Sequence, residues 1–528
     1  MSLLSTLARL EAVRAGRAQP LATVRHRHLS ETPMVLVPLT TAGEAGAPLG
    51  ALVGTDRHEP RVFVIPQPRD RELRWAFLAD LAVHVLAHID AYADDVEPAE
   101  RTETDPETGK RVKVEAELCR DAPQLIVPSR AGVEYVRLLG RSMRFRRTAE
   151  EDPENPYPAP PKVPLLGRWF THLGERARVP GSSMLLSATE LLGRHWASGQ
   201  SNLEDQHLGA LLAWIDPPEG RSGAEAALRT ELGRDKDGQL LCPPAGPATD
   251  PAFDNKLLAP AIARYDAARA VLAAGPGDDD DRDARIAERA VRRLVVEQMS
   301  STWWMTWEAI DLLRTLPPGE RAEERWTRDR WSYTGHRDRV RAGEPPQPRR
   351  DDAVTAAQKL ATRETEQVRL DAQEALDDPL VMAGRRLTGE AFAGEVTEVL
   401  MEWTESKRPS PRPLVTVATE DRPQLADGGG GKVFRSLDGR PQSAQFVRFE
   451  EDGRLVLRIL DKMGRGREPE PGSVPEKGDR VCWTLFEHDA RGGPKLPDPE
   501  RTPWTHGGPP GHLTAPVLPD SVTDEDLL

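Results

Sequence analysis

Two basic stretches carry side chains suited to holding a polyanion. Arg325-Trp-Thr-Arg-Asp-Arg-Trp-Ser-Tyr-Thr-Gly-His-Arg337 interleaves Arg325, Arg328 and Arg330 with Trp326, Trp331 and Tyr333. Guanidinium groups neutralise phosphates while aromatic faces stack on bases, so this mixture suits single-stranded nucleic acid. Tyr135-Val-Arg-Leu-Leu-Gly-Arg-Ser-Met-Arg-Phe-Arg-Arg147 has no acid and places Arg141, Arg144, Arg146 and Arg147 close together. The structural alternatives are a charged surface strand for the second stretch and, for the first, an amphipathic helix anchored to the core by its tryptophans.

Other chemistry-bearing spacings fail on specific positions. His84-Val-Leu-Ala-His88 sets two imidazoles one helical turn apart, as in zinc proteases, but Val85 stands where the general-base Glu belongs and the neighbours are apolar. His26-Arg-His28 reads as a surface pair at a strand end. Asp427-Gly-Gly-Gly-Gly-Lys432 has no Ser or Thr after its Lys and leads into a strand at Val433, so a hairpin connection is expected instead of a phosphate loop. Pro180-Gly-Ser-Ser-Met184 lacks the nucleophile-elbow pattern, and Ser182 or Ser183 reads as a helix cap. Asp278 to Asp281 cluster carboxylates that a hard cation favours, but without the spaced ligands of a calcium loop. At a helix start such a run is favoured by the dipole. Trp303, Trp304 and Trp307 share a helix with an apolar face and read as core or interface. No catalytic residue, metal or cofactor is expected from these patterns.

The bulk properties bound the partners. The net charge of -14, with 38% hydrophobic and 30% charged residues and a mean hydropathy of -0.55, describes a polar chain that cannot coat a polyanion over its whole surface. A local basic groove remains compatible, because one site uses few side chains. No run approaches the roughly 18 apolar residues of a membrane span, and the amphipathic start Met1-Ser-Leu-Leu-Ser-Thr-Leu is not a secretory signal. Cys119, Cys242 and Cys482 lie far apart with no CxxC pair, which fits a reduced cytoplasmic setting. The 48 Pro, 42 Gly and an excess of Arg over Lys fit a GC-rich bacterial genome.

The elements that must position these residues divide the chain into a multidomain α+β protein. Residues 1–149 read as a small α+β domain: strands at Thr32–Thr40, Arg61–Pro66, Gln124–Pro128 and Val133–Leu139, a Gly-rich connection from Gly43 to Gly54, a helix from Asp70 to Tyr92, and a polar hairpin tip from Glu97 to Lys110 with turn chemistry at Asp105–Gly109. Residues 150–164 form a Pro-rich linker. Residues 165–341 read as mostly helical, with helices over Ser182–Ala197, Ser201–Ile215, Pro251–Ala274 and Arg282–Leu316, the second opened by a Ser201/Glu204 capping box. Residues 342–386 make a polar linker and helix, and 491–528 a disordered tail.

Residues 387–490 carry the clearest pattern. Six runs, Gly394–Leu400, Pro413–Thr419, Lys432–Leu437, Ala444–Phe449, Arg454–Leu460 and Arg480–Phe486, alternate β-branched or aromatic residues with polar ones. An OB-like or SH3-like β-barrel is expected, a scaffold that often grips nucleic acid or peptide. The function expected from the sequence is a non-catalytic accessory or scaffold protein contacting single-stranded nucleic acid, another protein such as a motor or nuclease, or both, with no membrane partner. The alternative is an enzyme with a dispersed site, such as a metal-dependent hydrolase using His84 and His88.

Overall fold

The computed structural model describes residues 3–44, 46–105, 110–275, 278–426, 429–464 and 466–489. The expected tail 491–528, most of the expected turn Asp105–Gly109, the start of the acidic loop and part of the Gly-rich connection after Ala426 lie outside the described residues. Two compact units emerge, one from residues 9–20 and 25–356, the other from the described parts of 1–8, 21–24 and 357–496.

In chain order the first unit's strands are β1 (Gln19–Pro20), β2 (Met34–Thr40), β3 (Pro48–Gly54), β4 (Arg61–Val64), β5 (Val96–Thr104), β6 (Arg111–Cys119), β7 (Leu125–Val127), β8 (Leu185–Ser187) and β9 (Trp196–Ala197). Helix α1 (Leu3–Ala15), which the division between the units crosses after residue 8, precedes them, and α2 (Arg71–Asp90), α3 (Arg130–Met143), α4 (Val163–Arg176), α5 (Ala188–His195), α6 (Leu208–Ile215), α7 (Gly223–Leu232), α8 (Pro251–Phe253), α9 (Ala259–Ala274), α10 (Asp278–Arg314) and α11 (Ala322–Arg341) lie among and after them. Five strands make a mixed sheet in the order β4-β3-β2-β7-β8, with β2, β7 and β8 parallel.

Both faces of that sheet are covered, which is why β2 is buried at every position. Val35, Val37 and Leu39 face a core completed by Val291, Val295, Met299 and Trp303 of α10. Met34 and Leu36 face the opposite core, built on Leu78, Leu81 and Val85 of α2, Val136 and Leu139 of α3, and Phe170 of α4. The period-two alternation of the strand thus feeds two separate cores.

Several local expectations are corrected. Val133–Leu139 is helical, because Val133, Val136, Leu139 and Met143 form a stripe at three- and four-residue spacing. Helices α3 and α4 cross at glycine: a Cβ on Gly140 would sit 2.5 Å from the Thr171 amide, and one on Gly167 equally close to the Arg144 amide. Most of the Gly43–Gly54 connection is strand β3, where Gly50 admits the Val295 side chain 2.8 Å from its missing Cβ. Ser182–Ala197 is not one helix but β8 followed by α5, with Ser187 as the cap. The Ser201/Glu204 exchange is present, Ser201 N–H to Glu204 at 2.7 Å and Glu204 N–H to Ser201 Oγ at 3.3 Å, but it opens a 3-10 turn ahead of α6. Within residues 150–164, Ala159 and Val163 are buried and the Ala159 amide donates to the Arg147 carbonyl at 2.8 Å.

The main segment of the second unit begins within α12 (Ala353–Asp377) and continues through α13 (Pro379–Leu387). The expected single helix breaks because the Asp378-Pro379 step starts a new one, with the Asp378 carboxylate accepting the Leu380 amide at 2.9 Å. Six strands follow: β10 (Ala391–Leu400), β11 (Leu414–Ala418), β12 (Lys432–Leu437), β13 (Arg440–Phe449), β14 (Leu455–Ile459) and β15 (Arg480–Thr484). They close into an antiparallel barrel in the order β10-β11-β14-β13-β12-β15. Alternate residues Val415 and Val417, Leu455, Leu457 and Ile459, and Val481 and Trp483 fill its interior. Bulges between Val396 and Glu398 and between Phe446 and Arg448 add the twist that closure needs.

Candidate nucleic-acid interface

The Arg/Trp stretch forms helix α11, and the fold turns much of it inward. Arg325 and Trp326 are each 2% exposed and Tyr333 is fully buried. The Arg325 guanidinium donates to the His26 carbonyl at 2.8 Å, the Trp326 indole to Asp121 at 2.8 Å, and the Tyr333 hydroxyl to the Ile89 carbonyl at 2.7 Å. Trp326 is also stacked on His28, ring centroids 4.1 Å apart and nearly coplanar. Burial there pushes the His28 imidazole down to about 4, so it is neutral at pH 7. Arg328 pairs with Glu324 one turn away at 3.2 Å. Arg330 is bound to Glu97 and to the Cys119 carbonyl. A ring 2% exposed offers no face to a base; Trp331, half-buried beside Arg101, Glu115, Glu117, Arg337 and Asp338, keeps a partly open one.

The second basic stretch is similarly engaged. Arg144 is buried, donates to the carbonyls of Gln347 and Pro348 at 2.9 and 3.2 Å, and lies over Phe145. Arg146 donates to the Ser142 carbonyl at 3.3 Å, Arg147 pairs with Asp152 at 3.6 Å, and Arg141 is exposed. His84 leans on Phe63 while His88 meets the edge of Tyr92, and burial pushes His88 down to about 4. No three His, Cys, Asp or Glu side chains converge as a metal site among the described residues. Ser182 and Ser183 hold Asp329 and cap no helix. Trp303 and Trp307 are core, with Trp304 exposed.

An exposed aromatic ring on loops that also carry exposed cations occurs instead on the barrel. Leu400 at the end of β10 pairs with Leu414 at the start of β11, which pairs with Arg458 near the end of β14. The loops 401–413 and 460–479 therefore leave the same end of the barrel. The first is an ordered hairpin extension: the Arg412 amide donates to the Glu402 carbonyl at 2.6 Å, the Thr404 amide to the Ser410 carbonyl at 2.9 Å, and Trp403 bridges to Pro411. Pro409, Pro411 and Pro413 limit its freedom further.

Trp403 projects from this loop 45% exposed, its indole N–H bonded to the Arg467 carbonyl of the second loop at 3.1 Å. That bond ties the two loops and fixes the ring. Arg458 is matched by Glu402 at 3.4 Å. Lys407, Arg408, Lys462 and Arg467 are exposed and Arg412 half-buried, and none has a carboxylate within ion-pair distance among the described residues. No family model, curated protein or solved structure matches the chain.

The arrangement combines a held indole with exposed cations on the same two loops, the side-chain types that stack a base and contact phosphates. Sequence reasoning missed it because Glu402-Trp-Thr-Glu-Ser-Lys-Arg-Pro-Ser-Pro-Arg-Pro413 looks like a plain Pro/Ser-rich connection. The available signal was a lone Trp just past a strand, followed by Lys407, Arg408 and Arg412 in a loop too proline-rich to enter the core.

Proposed function

We propose that this chain is a non-catalytic accessory or scaffold protein that contacts single-stranded nucleic acid through the loop end of its barrel. The observation that carries this reading is Trp403, exposed and oriented by the Arg467 carbonyl, on a loop that also carries Lys407, Arg408 and Arg412. Small barrels of the OB-like or SH3-like kind commonly present oligonucleotide-binding loops in this way. Acidic Glu405 and Glu468 share these loops, and the chain is acidic overall, so binding is local and modest.

Fluorescence anisotropy with labelled oligonucleotides over a salt series tests it. Wild-type protein binds single strands in preference to duplex, with affinity falling as salt rises. Trp403→Ala lowers affinity by about 1–3 kcal/mol, the worth of one stacked base. Arg408→Glu weakens binding and flattens the salt dependence, whereas Trp326→Phe, inside the other unit, leaves it unchanged. Absence of binding at low salt, or binding indifferent to Trp403→Ala and Arg408→Glu, removes the proposal.

A further inference from the structure

Strands β5 and β6 form a two-stranded ribbon of nine residues a side, paired from Val96↔Cys119 to Thr104↔Arg111. Among the described residues no other strand pairs with it. Glu100 to Glu103 and Arg111 to Lys113 are exposed. A long open edge of this kind is a template for a further strand. Proline is one device that blunts such edges, and β5 carries one, Pro98.

The register shows where. The Asp105 amide donates to the Lys110 carbonyl at 2.9 Å, and the Asp95 carbonyl accepts the Arg120 amide at 2.9 Å. Odd-numbered residues of β5 therefore direct their backbone groups to β6, and even-numbered ones direct theirs to the open edge. Pro98 is even, so the N–H it lacks is missing from the open edge and costs the ribbon nothing. Beyond it, Glu100, Thr102 and Thr104 present an uninterrupted row of donors and acceptors.

That row is self-complementary. If two copies meet antiparallel about a two-fold axis at Thr102, each Thr102 exchanges both backbone bonds with its counterpart, and Glu100 does so with Thr104 of the other copy. Arg101 then stands opposite Glu103 of the second copy, twice, at the close non-hydrogen-bonded positions. Arg101 and Glu103 are about half exposed and, among the described residues, pair with each other along their own strand, so the dimer exchanges one ion pair for another. A one-residue slip sets the outward groups of one copy against residues of the other whose groups turn to β6, and a two-residue slip sets Arg101 opposite Arg101 or Glu103 opposite Glu103.

From this pattern we infer that the ribbon is a homodimerisation edge, joining two copies of the chain into a four-stranded antiparallel sheet through residues 100–104. The contact obeys the closed two-fold symmetry usual for homo-oligomers. Because it rests on a short ladder and little buried surface, the dimer is weak and concentration-dependent.

Sedimentation velocity of the full chain from low micromolar to millimolar concentration reads the association. The wild-type mass rises from one chain toward two. Thr102→Pro, which removes an N–H from the open edge while leaving the β6 ladder intact, stays a single chain with an unchanged melting temperature. Arg101→Glu alone and Glu103→Arg alone each set like charges opposite each other in two places, and each stays a single chain, with the dissociation constant raised about tenfold or more. Mixed in equal amounts, the two charge variants restore association, since every cross-strand pair is again of opposite sign. A wild-type chain that stays single at the highest concentration overturns the inference. So does a dimer unaffected by Thr102→Pro, or a mixture of the charge variants that fails to associate.

Discussion

Asp329, the acid inside the Arg-rich stretch, has a fully buried side chain. One carboxylate oxygen accepts from Arg176 Nε and Nη2 at 3.2 and 2.6 Å and from Ser182 Oγ at 2.8 Å, and the other accepts the Ser183 amide at 2.6 Å. The residue thus joins α11 to the end of α4 and to the turn before β8. Asp329→Ala leaves the largely buried Arg176 guanidinium and the Ser183 amide without their acceptor. Loss of one partner from a buried pair costs about 3–5 kcal/mol. Urea denaturation is expected to show a loss of that order, with Asp329→Asn intermediate because the amide oxygen keeps some of the bonds. A midpoint within error of wild type would show that the carboxylate is dispensable.

At the scale of elements, α4 and α11 meet through a second unusual pair. His172 and His336 are buried and stacked, centroids 4.2 Å apart and 4° from coplanar, with Trp169 edge-on to both. Neither Nε2 has a hydrogen-bond partner among the described residues. The charged groups facing them, Arg168, Arg176 and Arg339, are all cationic. Burial, helped by those charges, pushes His336 down to about 3 and His172 well below its ordinary 6.5. The sign follows: the unfolded chain takes up protons below about 6.5 that the folded chain refuses, so stability is full above that pH and falls as pH drops toward the folded value. For His336 the loss at pH 5 is about 2 kcal/mol, from about 1.4 kcal/mol per pH unit, and His172 adds in the same direction. Denaturation midpoints at pH 7.5 and 5 check this, with His336→Phe expected to flatten the acid limb.

The same helices show what the sequence could reveal. All six barrel strands were legible, because each shows alternate residues to one interior and the turns between them are rich in Gly, Pro and Asp. The long helices α2 and α10 were legible from their apolar period. Helix α3 was not, since Val133, Tyr135 and Val136 carry strand propensity that the packing of Gly140 against α4 overrides. The roles of the α11 arginines were hidden for another reason. Local spacing shows that Arg325 and Arg330 are cations, but not that the His26 carbonyl and Glu97, hundreds of residues upstream, consume them. Trp403 is the converse case, an aromatic that reads as incidental until the barrel leaves it exposed.

For the whole molecule, sequence order and compact unit part company at the N-terminus. The barrel-containing unit recruits residues 21–24 from more than three hundred positions upstream, and the recruiting group is Asp378. Its buried carboxylate accepts the Thr23 amide at 2.6 Å, the Thr23 hydroxyl at 2.9 Å and the Val24 amide at 3.4 Å, while also capping α13 through the Leu380 amide. One side chain therefore closes a loop of most of the chain and starts the helix that leads into β10. Asp378→Ala removes the cap, worth about 1 kcal/mol by itself, and leaves the part-buried Thr23 and Val24 amides without this acceptor, at less than the about 1–3 kcal/mol of a fully buried donor. The expected outcome is preferential destabilisation of this unit. Hydrogen exchange should show faster opening in α13, in β10 and at Thr23 and Val24, with the amides of β2 and α10 keeping wild-type protection. Equal loss of protection in both sets of amides would mean that the two units unfold as one, and that Asp378 is not the closure specific to the barrel-containing unit.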